Sequence, residues 1–120
     1  MPKTVMIVDD YADAREMMKL LIEWYGHEVI EAKNGSEAVE KSLQYHPDLI
    51  LMDLALPIMD GAAAAKIIRE TEGNDKISIV ALTGFKNASV EKYVDACFDG
   101  ILIKPLQFEN LEPLLNRYLA

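Results

Sequence analysis

Five residues stand where short apolar runs of this chain end, and their types suit one kind of chemistry. Asp9 and Asp10 follow Val5 to Val8, Asp53 follows Asp48 to Met52, Thr83 follows Ile77 to Leu82, and Lys104 follows Gly100 to Ile103. Brought to one place, the three carboxylates repel one another by about 4 kcal/mol per pair at roughly 4 Å, for an effective dielectric near 20. They stay ionised together only beside compensating cations. Lys104 brings one positive charge, and a hard divalent ion brings two more. Oxygen ligands with room for several waters suit Mg²⁺, which takes only one or two carboxylates directly. A metal and a lysine together stabilise charge on the oxygens of a transferred phosphoryl group. A carboxylate can itself be the nucleophile in such a transfer, forming an aspartyl phosphate. Asp53 is the candidate, because its run reads as the central strand, between the acid pair and the side of Thr83 and Lys104. Thr83 would donate its hydroxyl to a phosphoryl oxygen.

The elements that must hold these groups follow from the apolar pattern. Val5 to Val8 is unbroken rather than alternating, as expected of a parallel strand covered on both faces. Ala14, Met17, Met18, Leu21, Ile22 and Tyr25 recur three and four apart, one face of a helix, and Gly26 is its expected stop. Glu28 to Ala32 reads as a second strand, less apolar and so nearer the sheet edge. Asn34 and Glu37 sit at capping-box spacing before a helix carrying Ala38, Val39 and Leu43. Asp48 to Met52 is the third strand, Ala62 to Glu70 an Ala-rich helix, and Glu72 to Asp75 a turn. Ile77 to Leu82, a helix over Ala88 to Ala96, Gly100 to Ile103, and a helix from Phe108 to Leu119 complete the order. Pro113 inside that last segment predicts that the helix begins late or bends. Five β-α units in sequence imply an open parallel sheet with helices on both faces. In such a sheet, ligands bind beyond the carboxyl ends of the strands, which is where the five residues fall.

A chain of 120 residues holds one compact domain, here residues 1–120. Its net charge of −8 argues against direct binding to nucleic acid. A lone cysteine, Cys97, excludes an intrachain disulfide and reads as a small buried apolar group. No run approaches the roughly 20 apolar residues of a membrane span, and no signal-like stretch precedes the first strand. The expectation is a cytoplasmic protein without membrane insertion. His27 and His46 read as surface residues.

The chain resembles a response-regulator receiver domain along its whole length. The resemblance is carried by Val8, Asp9 and Asp10, by Leu51 through Gly61, by Ala81 through Gly84, and by Ile103, Lys104 and Pro105. It implies an α/β, doubly wound, flavodoxin-like sheet of five parallel strands in the order 2-1-3-4-5. It further implies that Asp53 is the phosphoacceptor, that Asp10 and Asp53 ligate Mg²⁺ directly, and that Asp9 acts through metal-bound water. The backbone carbonyl of Ala55 would complete the protein ligands, and the Lys104–Pro105 bond would be cis. The implied donor is a histidine kinase or histidine phosphotransfer protein. The implied output is changed binding to a downstream protein, through the surface near the fourth and fifth helices and the fifth strand. The resemblance also implies dimerisation on phosphorylation as a mode of output. Such a chain is not a turnover enzyme, but it catalyses its own phosphotransfer and autodephosphorylation. Because the sequence ends with the last helix, no output domain is expected.

Three positions depart from the family pattern. Ile101 stands where the family usually has the Tyr or Phe that turns inward on activation. Ala55 is small where a polar or larger residue is common, and Phe85 is apolar where a polar group could orient water. The last two predict a phosphoryl lifetime unlike that of polar-lined relatives. Two other functions remain open. One is a receiver that serves as a phosphorylation-independent adaptor. The other is a small Mg²⁺-dependent phosphatase with an aspartyl-phosphate intermediate, for which Ala55 replaces the usual second acid and no residues are left to form a cap.

Overall fold

The computed structural model describes residues 3–54, 56, 58–72, 77–84, 98–103 and 108–119. Among these, strands β1 (Thr4–Val8), β2 (Glu28–Ala32), β3 (Leu49–Asp53), β4 (Ser78–Thr83) and β5 (Gly100–Ile103) form one sheet. Its order is β2-β1-β3-β4-β5 and every pairing is parallel. Helices α1 (Ala12–Trp24), α2 (Gly35–Tyr45) and α3 (Gly61–Glu72) and a last helix, Phe108–Leu119, cover the sheet. The helix expected over Ala88 to Ala96, the turn after Glu72 and Cys97 lie outside the described residues.

Strand composition explains the order. The unbroken apolar runs of β1, β3 and β4 are almost wholly buried, whereas β2 and β5 are only half-buried, as befits edges. Side chains alternate between the two faces of each strand. Met6, Val8, Ile50, Met52, Ile79 and Ala81 meet Ala38 of α2 and Ala62, Ala65 and Ile68 of α3. Val5, Ile7, Leu49, Leu51, Val80 and Leu82 meet Met18 and Ile22 of α1 and Leu111, Leu114, Leu115 and Leu119 of the last helix. Leu114, Leu115 and Tyr118 therefore pack inward.

Local signals hold where the chain alone decides. Gly26 follows α1 with φ +94°, a left-handed conformation that a Cβ would oppose. His46 closes α2 in the left-handed region at φ 48°. The Asn34 side chain accepts the Glu37 N–H at 2.7 Å, capping α2. Asn34→Ala is expected to cost about 1 kcal/mol, read as a lower urea midpoint with an unchanged slope.

Two expectations about helix faces are corrected. Met17 is 66% exposed and lies with Leu20 and Trp24 on the outer face of α1, so the buried stripe is narrower than the spacing suggested. Leu43 of α2 is likewise exposed, and Ser42 takes the buried place. In both helices the apolar stripe is broader than the strip the sheet can cover. The last helix starts at Phe108 with Pro113 inside it on the exposed side, so it does not begin late.

Candidate functional site

Parallel register carries the acids to one rim. Val8 pairs with Met52, so the residues that follow each, Asp9 and Asp53, leave adjacent strands side by side. The chain keeps Asp9 in the ladder, its N–H donating to the Ala32 carbonyl at 3.1 Å. Beyond it the backbone turns toward α1, and the Tyr11 N–H donates to Asp9 Oδ1 at 2.9 Å. The capping position of α1 is Tyr11, so neither acid serves as that helix's N-cap. Asp9 and Asp53 are 2% and 5% exposed, while Asp10 is exposed. One carboxylate oxygen from each of Asp9, Asp10 and Asp53 lies within 4.8 Å of the other two.

That spacing is electrostatically costly without a cation. At 4.8 Å each pair repels by about 3 kcal/mol for an effective dielectric near 20. The donor set is all oxygen, partly buried and open on the Asp10 side, which fits a hard divalent cation that keeps several waters. The sheet thus presents an acidic cluster able to bind a metal.

On the other side of β3, Asp53 pairs with Leu82, and Thr83 comes one residue later, 5% exposed. Thr83 in turn pairs with Ile103, the residue before Lys104. The structure brings Asp9, Asp10 and Asp53 together and places Thr83 on the neighbouring strand end. Lys104, Pro105, the Ala55 carbonyl and Phe85 lie outside the described residues. Ile101 is half-buried, pairs with Ala81 and packs against the core beneath α3.

Sequence spacing did not reveal several supporting groups. Arg15 Nη1 donates to the Asp9 backbone carbonyl at 2.8 Å. The Asp60 carboxylate accepts the Ala63 N–H at 2.8 Å, capping α3 where that helix meets the end of β3. The capping residue was visible in principle, an Asp just before a helical run. Gly61 packs directly on the Asp53 backbone. At the opposite end of the sheet, Asp99 accepts from Arg69 Nη2 at 2.6 Å and from the Ile79 N–H at 2.8 Å.

A parallel sheet in the order 2-1-3-4-5, with acids at the carboxyl ends of β1 and β3, is the doubly wound class that takes its ligand at the point where strand order reverses. The family model of the response regulator receiver domain matches residues 5–116, and the chain belongs to that family. It is 39% identical over 118 residues to the chemotaxis protein CheY of Thermotoga maritima, covering 98% of each chain. It is 32% identical to the polar-differentiation response regulator DivK of Brucella anthropi, covering 100% of this chain and 98% of that one. Among solved structures, CheY4 of Vibrio cholerae superposes with a TM-score of 0.92 at 28% identity, over 98% of this chain and 99% of the other. The receiver domain of the sensor histidine kinase PA1611 of Pseudomonas aeruginosa, which has a magnesium ion coordinated in its active site cleft, gives 0.89 at 27% identity, over 99% and 98%. The chain is accordingly a phosphorylation-switched receiver of two-component signalling, a class that works with kinases and downstream targets rather than by metabolic turnover. Neither the adaptor nor the phosphatase alternative is favoured by these likenesses. Among the described residues no helix is long and apolar enough to cross a membrane.

Proposed function

We propose that residues 1–120 act as one receiver domain that takes a phosphoryl group on Asp53, with Mg²⁺ held by Asp9, Asp10, Asp53 and the Ala55 carbonyl. The observation that carries this reading is the approach of three carboxylate oxygens to within 4.8 Å at the rim of the sheet. Mg²⁺, when bound there, offsets charge on the phosphoryl oxygens. The Asp53 carboxylate forms a P–O bond as the P–N bond of a phosphohistidine on a histidine kinase or phosphotransfer protein breaks. The electron pair of that bond leaves with the imidazole. Thr83 donates its hydroxyl to one phosphoryl oxygen, and the Lys104 ammonium pairs with another. Water then attacks the acyl phosphate, so the domain also resets itself. Output is altered binding of a downstream protein, with dimerisation of the phosphorylated form as one mode. The acidic surface, at a net charge of −8, fits a cytoplasmic chain that does not bind nucleic acid directly.

Intact mass measured after incubation with acetyl phosphate tests this. One phosphoryl adduct is expected with Mg²⁺ and none after chelation. An adduct that forms equally without divalent ion, or no adduct under conditions that modify another receiver, would overturn the proposal.

A further inference from the structure

We infer that Arg15 is a positioning residue for the acidic cluster: by holding the peptide between Asp9 and Asp10 it sets the affinity for a divalent cation. The inference rests on the reading of that cluster as the Mg²⁺ site. Asp9 is the last residue of its segment whose N–H joins the sheet, donating to Ala32. Its carbonyl belongs to the next peptide, the one that links the two acids. That carbonyl accepts Arg15 Nη1 at 2.8 Å. A peptide group is planar, so holding its oxygen fixes the rotation about Asp9 ψ and Asp10 φ. Those two angles decide how the Asp10 carboxylate stands relative to that of Asp9.

The guanidinium is itself anchored. Arg15 is 17% exposed, and its Nε meets Glu31 Oε1 at 3.3 Å. Glu31 lies on β2 opposite Ile7 of β1, so its backbone is fixed by the sheet. Its carbonyl receives Lys41 Nζ at 2.5 Å, and Lys41 also pairs with Glu37 at 3.2 Å. Lys19 approaches the second Glu31 oxygen at 3.8 Å. The planar fork of Arg thus spans from the β2 strand to the peptide between the acids, a reach and geometry that a lysine cannot copy. Groups that orient metal ligands in this way typically change affinity by about 10- to 100-fold when removed.

The sign of the effect separates positioning from plain electrostatics. Arg15 carries positive charge close to a cation site, so by charge alone its loss would tighten Mg²⁺ binding. Positioning requires the opposite. In calorimetric titration with Mg²⁺, Arg15→Met is expected to bind about tenfold more weakly than wild type. The Mg²⁺ concentration that half-saturates adduct formation should rise by the same factor, while the rate at saturating Mg²⁺ stays within about twofold. Equal or tighter Mg²⁺ binding by the variant overturns the inference. If Met at this position prevents folding, Arg15→Lys carries the test, because it keeps the charge and loses the fork. Weaker binding then supports positioning, and wild-type affinity overturns it. A wild-type chain that takes up no Mg²⁺ overturns the metal reading itself, and the inference with it.

Discussion

Asp53→Asn is expected to abolish the phosphoryl adduct and, in the absence of metal, to make the protein more stable than wild type. Asparagine keeps the shape of the side chain but offers no carboxylate to attack phosphorus. The second effect comes from the packing of the acids. Asp9 and Asp53 are almost fully buried, and their oxygens lie within 4.8 Å of each other. Removing the Asp53 charge relieves its repulsion with both Asp9 and Asp10, about 3 kcal/mol for each pair at an effective dielectric near 20. Solvent on the open side and partial compensation by neighbouring groups reduce the gain to about 1–2 kcal/mol, on the order of 5 °C in melting temperature. Adding Mg²⁺ should then reverse the ranking. Ligand that binds only the folded state stabilises it, and at the proposed Mg²⁺ site the wild type would bind through one more carboxylate. Thermal melts of both proteins with Mg²⁺ and with chelator check this. A variant less stable than wild type in chelator would show that the acids are not repelling one another.

The second large effect is expected at Gly61, the first residue of α3. A Cβ built there would collide with the backbone carbonyl oxygen of Asp53 and would lie 2.9 Å from Cγ of Met52. The obstacle is mainly main chain, which cannot swing aside like a side-chain tip. Ala at 61 must push α3 away from the end of β3, or push the end of β3 itself. Overpacking of this kind costs about 1–3 kcal/mol, and we expect Gly61→Ala at the upper end, read in a urea melt. Because the displaced segment carries Asp53, Mg²⁺ affinity should fall as well. Gly84→Ala is the matched control: among the described residues, chain neighbours aside, no heavy atom lies within 4 Å of its Cβ position, so stability should change by less than about 0.5 kcal/mol. Equal stabilities for the two variants would mean that α3 does not rest on the Asp53 backbone.

Local, one-dimensional features were legible. The unbroken runs of β1, β3 and β4, the Asn34 cap of α2 and the Gly26 stop of α1 each arise from interactions within a few residues. The same holds for the position of Asp9, Asp10, Asp53 and Thr83 at strand ends, because parallel strands with returning helices all point one way. Met17 and Leu43 were misplaced because periodicity gives the direction of a helix's apolar face but not how wide a strip its neighbours cover.

From its residue order alone, this chain determined the succession of the described strands and helices, the buried character of the middle strands and the acids that close them. Tertiary structure alone decided the spacing and the support of those acids. Val8 lies opposite Met52, and that register across 44 residues of sequence brings Asp9 beside Asp53. Arg15 meets a backbone oxygen, and Gly61 meets another, contacts that depend on how helix and strand ends approach. Main-chain atoms are the same at every position, so no residue type announces that its carbonyl will be the partner. Only the packed arrangement of helices on the sheet selects which carbonyl it is.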